Sequence, residues 1–302
     1  MLTRPSFNLW VFIAATSLAI SCGTAKEGSP GDTTGSGSTS ASSTSSASQG
    51  VGTATGGSGG AATSSSAGTG GSSGPGGPGS SATGGIRNEV SDEFEGLRLD
   101  PSWSIVNGNN FSYSVSGGSL QITPTTNTLW WMGDASGALV YKLVTGNFKL
   151  TTTVRARRAS DASQPVGPTD FQFGGIMARA PGSASQNYVF GVVGDRGETL
   201  QVETKSTTND ASQVQAEDWP SGDAQLRLCR VGAMFHVLSR SIGGGAWAVA
   251  SPFGPPYERP DLPATLQVGP IAYAWTDSPD LRASFEYVRY APVASEADCT
   301  VD

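Results

Sequence analysis

Ten residues restrict this chain more than any others. In FKLTTTVRAR, from Phe148 to Arg157, Phe148, Leu150, Thr152, Val154 and Ala156 fall on one side. Lys149, Thr151, Thr153, Arg155 and Arg157 fall on the other. A period of two belongs to an extended strand with one face in a core, because successive side chains of a strand point to opposite faces. LQVETK (200–205) and FEYVRY (285–290) alternate in the same way. β-Branched and aromatic residues dominate these runs, as strands prefer. Turn signals punctuate them: Asn107-Gly108, Gly117-Gly118, Gly146-Asn147, Pro181-Gly182, Gly194-Asp195 and Gly243-Gly244-Gly245. No stretch of helical length carries a helical stripe. The pattern predicts about eleven to thirteen short strands between residues 103 and 290. None is predicted between 207 and 223, and the last runs unbroken over 283–290. Many short antiparallel strands in one domain mean a sandwich or jelly roll.

Composition sets the boundaries of that domain. Residues 23–86 are Gly, Ser, Thr or Ala at 55 of 64 positions, so no core can offset the entropy of ordering them. Residues 22–86 are therefore expected to be a disordered tether. Two matches to G-x-S-x-G, at 56–60 and 70–74, lie in this tract with no strand before or helix after, so they carry no catalytic weight. From Arg87 to Asp302 the chain changes character: six of seven Trp, nine of eleven Phe and all seven Tyr lie there. That segment holds 23 acids against 16 bases and so the whole net charge of −7. Such a balance argues against binding nucleic acid or an anionic membrane through a basic face.

The first 21 residues read as a signal peptide. Arg4 precedes an apolar run from Phe7 to Ile20, too short for a membrane-spanning helix but right for a secretory h-region. Its end, Leu18-Ala19-Ile20-Ser21-Cys22, resembles the bacterial lipobox. That resemblance implies acylation of Cys22, a partner in the lipid bilayer, and, with Gly23 following, an outer-membrane lipoprotein, with display at the cell surface left open. The other reading is an ordinary signal peptide with an incidental cysteine.

Seven segments in order carry a second resemblance: DEFEGLRLDPSWSIVNG, GGSLQITPTTNTLWW, VTGNFKLTTTVRA, GGIMARAP, LRLCRVGAMFHVLSRSIGGGAW, LQVGPIAYAW and ASFEYVRY. Their sequence is similar to the concanavalin A-like jelly-roll modules of bacterial surface proteins, nearest to the DUF1349-type domain also appended to glycosidases. The resemblance implies two curved antiparallel sheets over 87–302, one concave and ligand-holding in carbohydrate-binding relatives. It also implies a calcium site shared by an acidic residue near the first strand and one on the last, here Asp92 and Glu286. Glu286 departs from the Asp usual in those relatives. A fold of this kind hosts many functions.

Chemistry is harder to find. Glycoside hydrolysis needs a pair of carboxylates on one cleft. The nearest run is DRGETLQVE, with Asp195, Glu198 and Glu203, but Glu198 and Glu203 are an odd offset apart and face opposite sides of a regular strand. No catalytic residue is assigned. The single histidine, His236 in AMFHVLS, has no second histidine to join it and reads as a residue of a sheet's second face. With Cys22 taken by lipid, Cys229 and Cys299 remain, an even count in an oxidising compartment, open to a disulfide or to two free thiols. Trp130, Trp131, Tyr188, Trp247 and Trp275 are the candidates for stacking on sugar rings, though a sandwich also needs aromatics in its core. Trp130 and Trp131 are adjacent, so if both are extended one faces inward and the other outward. Three functions fit: a non-catalytic glycan-binding or adhesion module, a polysaccharide-active hydrolase or lyase, and a purely structural envelope protein.

Overall fold

The computed structural model describes residues 90–168, 171–197, 199–250 and 256–302. The signal peptide, the tether, Cys22 and Glu198 lie outside the described residues. What is described is an all-β, two-sheet antiparallel jelly-roll sandwich. The first sheet is hydrogen-bonded in the order β1 (Ser104–Val106), β6 (Ala138–Thr145), β16 (Thr265–Ala274), β8 (Gln172–Arg179), β9 (Tyr188–Asp195), β10 (Leu200–Thr208), β11 (Ala211–Asp218). The second runs β14 (Ala248–Val249), β13 (Met234–Arg240), β12 (Asp223–Val231), β7 (Phe148–Arg158), β17 (Leu281–Phe285), β3 (Ser119–Pro124), β2 (Phe111–Ser116). To it β15 (Tyr257–Glu258) adds beside β13 and β18 (Arg289–Pro292) beside β7. A separate hairpin pairs β4 (Trp130–Trp131) with β5 (Asp134–Ala135). One 3-10 turn spans Glu296–Cys299.

Alternation decides which side chains meet. On β7 the apolar set Phe148, Leu150, Val154 and Ala156 is fully buried against Leu226, Leu228 and Phe285 of its own sheet and Ile176, Val189 and Val193 of the other. The sheets approach closely where glycine removes a side chain: a Cβ on Gly174 of β8 would lie 2.6 Å from Ala283 of β17. That face of the first sheet is therefore the inner one, and Phe173, Met177, Tyr188, Phe190 and Tyr273 point outward. Solvent does not reach these outward residues, which form a second apolar cluster.

Two expectations fail in detail. Residues 211–218 form β11, where no strand was predicted, and the predicted 283–290 strand breaks into β17 and β18. β11 is an edge strand with half-exposed faces, so it needs no apolar stripe. The break falls where the backbone of Val288 exchanges both hydrogen bonds with Asp92 (2.8 Å each) and leaves the β7 ladder.

Candidate functional site

The outward face of the first sheet carries the densest chemistry. Tyr188 and Phe190 of β9 stack at 5.7 Å with nearly parallel rings, and Phe190 and Tyr273 meet at 6.1 Å. Next to them β10 places Glu203 and Lys205, two residues apart and so on one face. Both are almost wholly buried, at 3% exposure each. The Lys205 ammonium donates to the Trp130 carbonyl at 2.9 Å and lies 4.7 Å from the Trp131 ring and 4.8 Å from that of Phe190. Such contacts are attractive because the face of an aromatic ring is electronegative. Burial nevertheless pushes Lys205 down to about 8, with Glu203 pulling the other way. Burial likewise raises Glu203, opposed by Lys205 and Arg196, and pushes the Tyr273 phenol well above its ordinary value.

The β4–β5 hairpin covers this cluster. Its base is fixed at β16, where Thr128 N–H donates to the Ala274 carbonyl and Ala274 N–H to the Thr128 hydroxyl. Its tip reaches β11, where Met132 N–H donates to Ser212 Oγ at 2.8 Å. Asn107 Nδ2 clamps the return by donating to the Ala135 and Gly137 carbonyls. Trp130 is completely buried and meets Tyr188 edge-on at 5.8 Å, while Trp131 is half-buried. Gly137 is required here, because any Cβ would overlap the Trp130 indole.

At the open rim stands Trp275, 48% exposed. Its ring lies 5.4 Å from Phe171, whose other neighbour is the Arg196 guanidinium at 5.6 Å. The backbone N–H of Trp275 donates to the Phe171 carbonyl, and Asn127 Nδ2 donates to Asp277. Four of the five aromatic candidates therefore converge on one face, but in different roles. Trp130 and Tyr188 are core residues no ligand can touch, Trp131 is a lid over Lys205, and Trp275 alone among the four offers an open ring face. Trp247 belongs to the outer face of the second sheet. Glu203, Lys205, Arg196 and Phe171 were not singled out as binding residues by the sequence. The only signal was the i, i+2 spacing of two opposite charges within an alternating strand.

The remaining candidates are dispersed. Asp195 alternates with Glu203 onto the inner side, where it accepts from Gly197 N–H, and the charges acting on Glu203 are the cations Lys205 and Arg196. Asp92, expected as a calcium ligand, accepts from Phe94 N–H and Trp103 Nε1, and Glu286 accepts twice from Arg155. Among the described residues no group of three or more His, Cys, Asp or Glu side chains is placed to hold a metal ion. His236 lies 3.1 Å from Glu296 on the outer face of the second sheet. Cys229 and Cys299 are joined as a disulfide.

No family profile and no curated protein sequence matches the chain. Solved structures do. A functionally unknown protein from Saccharomyces cerevisiae superposes with a TM-score of 0.53 at 14% identity, over 64% of this chain and 98% of that one. The GH43 protein BlXynB from Bacillus licheniformis superposes at 0.52 and 14% identity over 68% of this chain, which spans only 40% of that protein. Likenesses at this identity are likenesses of fold.

Proposed function

We propose that this chain is a non-catalytic glycan-binding module, held on a lipid-anchored tether at the outer membrane. The exposed Trp275 ring beside Phe171 and Arg196 carries the reading. A flat indole at the surface, with a guanidinium, an amide and a carboxylate within the same rim, suits a sugar ring that stacks by one face and hydrogen-bonds at its edge. The likeness in fold to a GH43 protein fits a polysaccharide setting. Catalysis is the weaker alternative: among the described residues the charges acting on Glu203 are the cations Lys205 and Arg196, and hydrolysis of a glycoside needs a second carboxylate. We expect no turnover on a panel of polysaccharides. Any activity abolished by Glu203→Gln in a folded protein contradicts that.

A glycan array followed by isothermal titration of its hits tests binding. Dissociation constants from micromolar to millimolar, about −8 to −4 kcal/mol, are expected for a single module. Trp275→Ala should weaken binding about tenfold, roughly 1.4 kcal/mol, while the melting temperature stays nearly constant, because an open indole leaves no cavity. Binding that survives Trp275→Ala unchanged removes the rim as the site. The hairpin over the outward face favours a second reading, a structural envelope component without a sugar ligand. An array without hits leaves that one standing.

A further inference from the structure

The outer face of the second sheet holds a cradle for one carboxylate. Trp247 lies within cation–π reach of two guanidinium groups, Arg227 of β12 at 4.1 Å and Arg240 of β13 at 4.2 Å. Three donors from these three residues converge on the side chain of Asp302. Arg227 Nη2 donates to Oδ1 at 3.1 Å, Arg240 Nη1 to Oδ2 at 2.8 Å, and Trp247 Nε1 to Oδ1 at 2.8 Å. The receptor is fixed from behind. Arg227 is 3% exposed, with Nε on Thr151 Oγ1 and Nη1 on the Cys299 and Val301 carbonyls, and Arg240 Nε is on Gln225 Oε1. Lys149 adds a third cation beside the Val301 and Asp298 carbonyls. The occupant is built differently: the Asp302 side chain is 66% exposed. A buried Arg227 held by Thr151 and the Cys299 carbonyl, an Arg240 held by Gln225, and a carboxylate laid on them from the solvent side describe a receptor and a replaceable guest rather than a core ion pair.

Asp302 is also held nearby by covalent means. It lies three residues after Cys299, whose disulfide partner Cys229 is two residues from Arg227 on the same strand. Such a tether supplies a high effective concentration, so a weak guest stays bound and a free ligand must outcompete it. We propose that this cradle binds an external carboxylate, from a uronate sugar or a simple organic acid, and that Asp302 is its competing occupant in cis. The site is independent of the Trp275 rim and stands or falls separately.

Titration of the full chain carrying Asp302→Ala, followed by nitrogen-15 NMR of the tryptophan indoles, tests this. The Trp247 indole signal is assigned by its loss in Trp247→Phe. We expect it to shift saturably with D-glucuronate at concentrations at least about tenfold lower in Asp302→Ala than in the unsubstituted chain, and not to shift with D-glucose. Acetate separates the two sources. Equal effects of acetate and glucuronate mean that the carboxylate alone is read, and a tighter glucuronate means a uronate site. A folded Asp302→Ala protein whose Trp247 signal is unmoved by about 50 mM of either acid overturns the proposal, as do equal responses in the substituted and unsubstituted chains. Should Asp302→Ala fail to fold, the isosteric Asp302→Asn is judged by the same outcomes.

Discussion

Lys205 and Glu203 point into an aromatic cluster, where water has been replaced by Phe190, Tyr273 and Trp131. Removing a charge from water costs several kcal/mol, and each member of the pair offsets only part of that cost for the other. Lys205→Met leaves Glu203 buried without a nearby lysine and removes the Lys205 bond to the Trp130 carbonyl, so it should destabilise; Glu203→Gln combined with it should restore part of the loss, giving a favourable coupling in a double-mutant cycle read by urea unfolding. Additive losses would show that the two charges do not interact. The shift of Lys205 also sets a pH dependence. Unfolded, the ammonium keeps its proton up to its ordinary 10.5; folded, it loses it near 8. Between those values the unfolded chain binds more protons, so Lys205 should make stability rise with pH, by about 1 kcal/mol from pH 8 to 9, below the range where the raised Tyr188, Tyr257 and Tyr273 phenols act in the opposite sense. The rise should vanish in Lys205→Met. A profile unchanged by that substitution would assign it to other groups.

Two elements act as fasteners. The β4–β5 hairpin is too short to be stable alone and is held by what it touches: Thr128 on β16, Ser212 on β11, and the Trp130 indole buried beneath it. Trp130→Ala should cost about 3–5 kcal/mol through the cavity it leaves. Gly137→Ala should also destabilise, because its methyl group overlaps the same indole, and a Gly137→Ala protein melting at the original temperature would mean that the hairpin is seated otherwise. The segment after β18 is fastened by the Cys229–Cys299 bridge, which spans 70 residues. On the chain-entropy account Cys299→Ser should lose up to about 4 kcal/mol. Equal unfolding midpoints with and without reductant would contradict it. His236 and Glu296 and the Arg227 contacts to the Cys299 and Val301 carbonyls hold the same segment, and part of the loss falls on them.

For the molecule as a whole, the tract 22–86 would give a tether with a root-mean-square reach of roughly 40–50 Å if it behaves as a flexible coil. Cys22→Ser should release the protein from membranes, since the apolar run before it is too short to span; retention after a carbonate wash would end the lipoprotein reading. The period of two in Phe148–Arg157 already stated the fold class and even which residues of β7 reach the core, because strand geometry is local and alternation is written residue by residue. The composition break near residue 87 predicts where folding begins, because a tract that is Gly, Ser, Thr or Ala at 55 of 64 positions has little to bury. β11 was illegible: ASQVQAED has no apolar stripe, and its pairing is set by the two-residue turn Asn209-Asp210, both at positive φ, which closes β10 onto it. The candidate site was equally out of reach. Trp130, Tyr188, Lys205 and Trp275 are brought together by strand order and register over as many as 145 residues of chain, and the sequence cannot say which outward face a distant hairpin will cover. Local steric rules therefore determined the strands, whereas long-range pairing alone decided which aromatics became core, which became lid, and which was left open to solvent.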